Sequence, residues 1–148
     1  FPEIILDSHS FRGDQTILII KKSVLELFKF LRDEPSLDFK FLMDLTAVDY
    51  LNRKQDRFEI VYHFYSLTHN SRLRIKAPVS ENDCTIDSVS SLWKTANWYE
   101  REVWDLYGVK FNGHPDMRRI LLYEEFKGHP LRKDYPINKR QPLIGPLN

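Results

Sequence analysis

The chain has 148 residues, 42% apolar and 14% aromatic, enough to bury one substantial core. No window approaches the ~18 consecutive apolar residues of a membrane-spanning helix, and the net charge of +1 is far below the footprint of a nucleic-acid binder. The lone Cys84 excludes an intramolecular disulfide and suits a reducing compartment. Phe1-Pro2-Glu3 lacks the basic start and apolar run of a secretory leader, so a chain opening at Phe is expected to be processed or to continue upstream.

In chain order, Thr16-Ile-Leu-Ile-Ile20 is an apolar run of strand length. Ser23 stands three positions before Glu26, the spacing of a capping box, and Val24, Leu25, Phe28 and Leu31 follow at helical intervals. Pro35 ends that helix, because the residue before a proline disfavours α geometry. Phe39, Phe41 and Met43 alternate with Lys40 and Leu42, which predicts a strand with those three on one face. The clearest alternation is Arg57-Phe-Glu-Ile-Val-Tyr-His-Phe-Tyr65, with Phe58, Ile60, Tyr62 and Phe64 on one side. After Thr68-His69-Asn70, Leu73, Ile75 and Ala77 alternate with Arg72, Arg74 and Lys76, a hairpin with one buried and one wet face.

Ile86, Val89, Leu92 and Trp93 predict a short helix. Asn97 and Glu100 form a second capping-box pair, opening a helix whose stripe is Ala96, Tyr99, Val103, Leu106 and Tyr107 and whose end is Gly108. Residues 1–107 thus read as an α+β domain: a mixed, largely antiparallel sheet of about four to five strands packed by helices on one face.

Residues 108–148 differ in kind. They hold four of the five glycines and five of the eight prolines, yet also Ile120, Leu121, Leu122, Phe126, Leu131 and Tyr135, too much apolar surface for a solvated tail. Charge divides at the same place: residues 1–109 carry 14 Lys/Arg against 17 Asp/Glu, net −3, and residues 110–148 carry 8 against 4, net +4. The expectation is an extended, basic C-terminal arm that buries its apolar side chains on an acidic partner.

Gly-His-Pro occurs twice in this arm, at 113–115 and 128–130. Zinc wants about four closed ligands; Cys84 is remote and neither CxxC nor HExxH spacing occurs, so His114 and His129 read as corner residues between a permissive glycine and a rigid proline. His9, His63 and His69 take the same structural reading. Glu100 and Glu102 flank Arg101 on one helix and point too far apart to share a catalytic site; capping with ion pairing, and a contact face beside Trp98 and Trp104, both fit them. Arg72, Arg74 and Lys76, with Tyr65 and His63 on the neighbouring strand, suit base stacking in type, but the glycine-aromatic pattern of an RNA-binding sheet is absent. No nucleophile motif, phosphate loop or dinucleotide fingerprint occurs.

Residues 97–122, Asn97-Trp-Tyr-Glu-Arg-Glu-Val-Trp-Asp-Leu-Tyr-Gly-Val-Lys-Phe-Asn-Gly-His-Pro-Asp-Met-Arg-Arg-Ile-Leu-Leu122, followed by Gly128-His-Pro-Leu-Arg-Lys-Asp-Tyr-Pro136, resemble the 30-kDa subunit family of respiratory NADH:quinone oxidoreductase (complex I). Asp44-Leu-Thr-Ala-Val-Asp49 matches a further stretch of that family, and the resemblance spans roughly 16–140. Met117 and Phe126 stand where the family often has Leu and Trp. Related subunits occur in plastoquinone-reducing complexes and membrane-bound hydrogenases.

The resemblance implies a non-catalytic assembly subunit of the peripheral arm, supporting electron transfer from NADH to quinone coupled to proton translocation. It implies no cofactor on this chain, with FMN, iron–sulfur clusters and quinone in other subunits. The expected place is the cytoplasmic face of a bacterial inner membrane, or the matrix face of the mitochondrial one, with the membrane met only through the complex. The implied partners are the adjacent subunit that helps form the quinone pocket and the cluster-bearing subunits. The implied interface comprises Glu100, Arg101 and Glu102, then His114, Arg118, Arg119, Ile120, Leu122, His129, Leu131, Arg132, Lys133, Asp134 and Tyr135. Within it, Arg118, Arg119, Arg132 and Lys133 are expected to meet acidic partner groups. Alone, the chain is expected to be poorly ordered after residue 108.

Overall fold

Alternating apolar and polar side chains build a sheet with one dry face. The computed structural model describes residues 1–145, so positions 146–148 of the arm, Pro146 among them, lie outside the description. In chain order the elements are β1 (Ile5–Phe11), β2 (Asp14–Ile19), a 3-10 turn (Lys21–Ser23), α1 (Val24–Asp33), β3 (Phe41–Asp49), β4 (Phe58–Ser66), β5 (Ser71–Val79), β6 (Thr85–Asp87), α2 (Ala96–Tyr107) and β7 (Lys110–Asn112).

The first five strands form one sheet in the order β1-β2-β5-β4-β3, antiparallel except where β2 runs parallel to β5. The predicted hairpin is present, with Ser66 opposite Ser71. Phe58, Ile60, Tyr62 and Phe64 of β4 are buried with Leu73, Ile75, Ala77 and Val79 of β5. Phe28 of α1 seats edge-on between Tyr62 and Phe64, with ring centroids at 4.7 and 4.9 Å. Trp93 closes the same cluster, 5.1 Å from Phe64, and α2 packs beside β3.

Several local expectations are corrected. Neither Ser23 nor Asn97 caps its helix. Ser23 ends a 3-10 turn that feeds α1 directly, and α2 begins on a turn in which Ala96 and Asn97 N–H donate to the carbonyls of Trp93 and Lys94. The apolar spacing of Ile86, Val89, Leu92 and Trp93 imitates a helix; instead Ile86 lies in β6, which pairs in parallel with the unanticipated β7, and a turn follows. In β3 the register shifts between Leu42 and Asp44, reversing the predicted faces. Leu42, Leu45, Ala47 and Asp49 point inward, whereas Phe41 and Met43 are 46% and 38% exposed. β1 also escaped notice: all seven residues are exposed, so its sequence carries no burial pattern, and it is held by its hairpin through Arg12 and Gly13, both at positive φ.

Truncating the aromatic wedge should be costly. Phe28→Ala is expected to lose about 3–5 kcal/mol in urea unfolding, and Phe11→Ala on exposed β1 less than about 0.5 kcal/mol.

Candidate functional site

Contacts within the chain lay out the arm. Its path from Gly113 to Tyr135 is set by the end of α2. The last four carbonyls of any helix lack partners within it; in α2 these belong to Trp104, Asp105, Leu106 and Tyr107. Gly108 N–H donates to the Trp104 carbonyl at 2.8 Å from a left-handed backbone (φ +80°). Leu131 N–H donates to the Leu106 carbonyl at 3.0 Å, Arg132 Nε to the Tyr107 carbonyl at 2.6 Å, and His129 Nδ1 lies 2.9 Å from the Asp105 carbonyl. Residues of the second Gly-His-Pro segment therefore complete the helix end. Gly108 is obligatory there, since a Cβ would stand 2.6 Å from the His129 ring and 2.7 Å from Arg132.

Asp105 ties the first half of the arm to the same place. Its carboxylate is fully buried. Oδ2 accepts the N–H groups of Ile120, Leu121 and Leu122 at 3.1, 2.9 and 2.9 Å, and Oδ1 accepts Arg119 Nη1 at 2.6 Å. Arg119 Nη2 passes on to the carbonyls of Phe126 and Gly128 at 2.8 and 3.0 Å, and its guanidinium lies near the rings of Trp104 and Phe126. Burial pushes the Asp105 carboxyl up, but the Leu122 amide, Arg119 and the two other amides outweigh it and hold the group below the usual carboxylate range.

A second anchor sits at the mouth of β4. Arg57 is buried and forks onto Asp49, with Nε to Oδ1 at 3.0 Å and Nη2 to Oδ2 at 2.9 Å. It also reaches Glu81 at 2.6 Å and Asp134 of the arm at 2.7 Å. Asp49 Oδ2 accepts the Lys133 N–H at 2.8 Å, and the Arg132 guanidinium stands 5.1 Å from the Phe58 ring centroid. These carboxylates, Asp49 foremost, raise Arg57 well above its ordinary value.

These bonds correct the sequence-based interface. Arg119, Arg132 and Asp134 meet groups of their own chain, and Lys133 uses its backbone N–H there while its side chain is exposed. Arg118 pairs with Asp116 at 2.7 Å, and Arg101 donates to the carbonyls of Arg118 and Arg119 rather than to either flanking glutamate. Glu100 is fully buried inside the stripe of α2, where it accepts Ser88 Oγ at 2.6 Å and Val89 N–H at 2.7 Å, so it neither caps nor faces a neighbour. Burial pushes its carboxyl up to about 7 against those two bonds. His114 is a corner residue: Nε2 lies 2.9 Å from the Asn97 carbonyl, and Nδ1 accepts Asp116 N–H at 3.0 Å. Ile120, Leu122 and Tyr135 are half-buried, with Tyr135 stacked on Phe126, whereas Glu102 and Leu131 are exposed. Among the described residues no group of three or more His, Cys, Asp or Glu is placed to hold a metal.

The anchors Asp105, Asp49 and Arg57 were not singled out as a site by sequence reasoning, although a signal existed. Asp49 falls on the inward alternation of Leu45 and Ala47, and Glu100 falls one turn from Ala96 and Val103 on the apolar stripe. A charge at a position that periodicity sends inward requires a buried partner.

The family described as respiratory-chain NADH dehydrogenase, 30 Kd subunit, matches residues 17–141. The NADH-quinone oxidoreductase subunit lettered C in Geobacter sulfurreducens is 48% identical over all of this chain and 91% of its own length. Its counterpart in Roseiflexus sp. is 44% identical over 95% of this chain and 80% of its own length. Among solved structures, the trypsin-resistant fragment (1-134) of Nqo5 superimposes with a TM-score of 0.68 at 31% identity, over 74% of this chain and 88% of that one. A chain of an archaeal membrane-bound sulfane sulfur reductase shares the fold, with a TM-score of 0.76 at 20% identity over 93% of this chain and 79% of its own.

Arg119→Ala leaves a buried carboxylate without its counter-charge and is expected to cost about 3–5 kcal/mol. Hydrogen exchange at the amides of 120–122 should accelerate while β4 and β5 stay protected. Glu100 has a pH signature of opposite sign to the depressed aspartates. Its folded form keeps a proton that the unfolded chain releases, so the stability it contributes falls as pH climbs from about 4.5 to about 7 and then levels. Relative to the parent chain, Glu100→Gln should gain about 3 kcal/mol across that window, measured by urea unfolding at both ends. Asp105 acts at the acid end, where its stability is lost as pH falls through its depressed folded value.

Proposed function

The chain belongs to the family of the respiratory-chain NADH dehydrogenase 30-kDa subunit, and from that premise we propose that it works as a rigid bracket in the peripheral arm of the complex, with no active site of its own. It is a subunit of NADH-quinone oxidoreductase, an oxidoreductase complex, and its partners are other subunits of that complex. In this reading NADH oxidation, the flavin, the iron–sulfur clusters and the quinone belong to neighbouring subunits, and this chain holds those neighbours in register. The neighbour gripped by the arm is the one that helps form the quinone pocket, on the cytoplasmic or matrix side of the membrane. No helix among the described residues is long and apolar enough to cross a bilayer, so attachment through protein partners suits the chain.

The observation that carries this reading is apolar surface held out on an anchored arm. Leu121 and Leu131 are 61% and 47% exposed, and Ile137 and Leu143 are fully so. Exposed leucines on a mobile tail would cost ordering entropy on binding. Here Asp105 and Arg57 have already ordered the segment, and Gln141 extends that order by donating to Tyr135 Oη and to the Lys127 carbonyl, both at 2.9 Å. A surface shaped before contact spends less of its interaction energy on ordering. Electron transfer between fixed centres benefits, because small displacements near reacting groups are expensive.

Ile137→Asp with Leu143→Asp tests the reading. Each side chain stabilises a dry contact by about 1.5–3 kcal/mol. The double variant should therefore lose its contact with the quinone-pocket neighbour and fall out of the purified complex, while the melting point of the isolated chain stays within about 2 °C. Full retention of the variant, with undiminished NADH:quinone activity, would refute the arm as the gripping surface.

A further inference from the structure

The sheet face turned away from Phe28 and the core carries a line of polar side chains that the arm does not use. Strand register sets Thr16 of β2, Arg74 of β5, His63 of β4 and Asp44 of β3 side by side. One step along, Arg72 stands opposite Tyr65. A groove of about 300 Å³ opens here, with Asp14 at the β2 side, Asp44 at the β3 side, and both arginines between them.

The two arginines are held ready but not neutralised. Arg74 Nη1 donates to Thr16 Oγ1 at 3.3 Å, and the Arg72 guanidinium lies 5.7 Å from the centre of the Tyr65 ring. Among the described residues neither pairs with a carboxylate, whereas Arg32, Arg57, Arg118 and Arg119 all do. Burial, then the Arg74 charge, pushes His63 below the usual imidazole range, so the arginines supply the positive charge. Neighbouring strands lie about 4.8 Å apart, and Asp14 lies two residues along β2 from the row that holds Asp44, which sets the two aspartates roughly 16 Å from each other. Across the groove the charge therefore runs minus, plus, minus.

That order selects its occupant. A nucleic-acid strand presents negative charge continuously and would meet repulsion at both aspartates. A protein segment with one carboxylate flanked by basic side chains matches all three positions. The rim suits a protein as well: Phe41 and Met43 are part-exposed, and Met43 lines the groove; aromatic, Met and Arg side chains are enriched at interface centres.

We propose that this groove is a second docking site, occupied by a segment of another subunit that sets a carboxylate side chain between Arg72 and Arg74 and basic side chains beside Asp14 and Asp44. The proposal rests on the reading of the chain as a subunit of a larger complex, and it adds a contact separate from the arm.

The test uses the intact complex, with p-benzoylphenylalanine placed at position 65 instead of Tyr65 and, in a second preparation, at position 137 instead of Ile137. Illumination should join position 65 to another subunit, within a peptide that carries Asp or Glu between basic residues. Arg72→Glu with Arg74→Glu should lower incorporation of the chain at least tenfold, and reversing the joined carboxylate to Lys in the partner should restore it. If position 137 joins a neighbour but position 65 joins none, the groove faces water; the docking inference falls and the subunit reading stands. If the chain is absent from the complex, both fall. Adducts of position 65 to RNA or DNA, or salt-sensitive binding of a 20-nucleotide strand, would overturn the inference in favour of a nucleic-acid surface.

Discussion

A carboxylate buried near the C-terminal end of a helix is doubly disfavoured, by loss of hydration and by the negative pole of the helix dipole. Asp105 stands in that position, and everything downstream follows from how the chain satisfies it. Three consecutive amides of the arm must turn toward one oxygen, and a guanidinium must reach the other. The helix's last carbonyls require donors too, and the segment around His129, Leu131 and Arg132 provides them. A Gly- and Pro-rich stretch with few ladder bonds of its own is thereby pinned along most of its length. Its order comes from the helix end, not from regular secondary structure.

The second anchor works by number rather than by strength of any one bond. Arg57 gathers Asp49, Glu81 and Asp134, three carboxylates from three separate stretches, while Asp49 also receives the Lys133 amide. Buried ion pairs contribute little net stability once desolvation is counted, but a partly paired set is costly. Only one path of the arm satisfies all of these groups together. The network therefore selects a conformation more than it stabilises the chain.

How much of this the sequence disclosed depends on which force dominates locally. β4 and β5 were legible because both are central, and burial on one face imposes strict alternation. β1 was not, because an exposed edge strand leaves no apolar pattern; nor was the true face of β3, because one bulge at Met43 inverts the alternation. The resemblance at 97–136 identified the family, and the Gly-His-Pro corners behave as corners. The basic arm was assigned to a foreign acidic partner, and here the sequence was ambiguous in a physical sense. Net charges of −3 and +4 state that two parts attract, not whether they belong to two molecules. Part of what composition offers to a neighbour is used inside the chain. Asp105 takes up one of the arm's cations, Arg119; Asp116 within the arm takes up Arg118; and Arg57 of the body takes up the arm's own Asp134.

That internal pairing decides what remains for other subunits. With Arg119 and Arg132 committed inside the molecule, the arm leaves the apolar Ile137 and Leu143 exposed beside Lys133, Lys139 and Arg140. Arg72 and Arg74, which pair with no carboxylate among the described residues, lie on the sheet. One strand links the two regions: β3 turns Asp49 inward to hold the arm and, five residues earlier, Asp44 outward to rim the groove. At about 3.4 Å per residue the two stand roughly 17 Å apart on a strand hydrogen-bonded along its length to β4. A neighbour gripped by the arm and another seated in the groove would thus share one stiff element as their common reference. A shift of either would have to bend that strand or break buried ion pairs, so the two contacts would hold each other at a constant spacing.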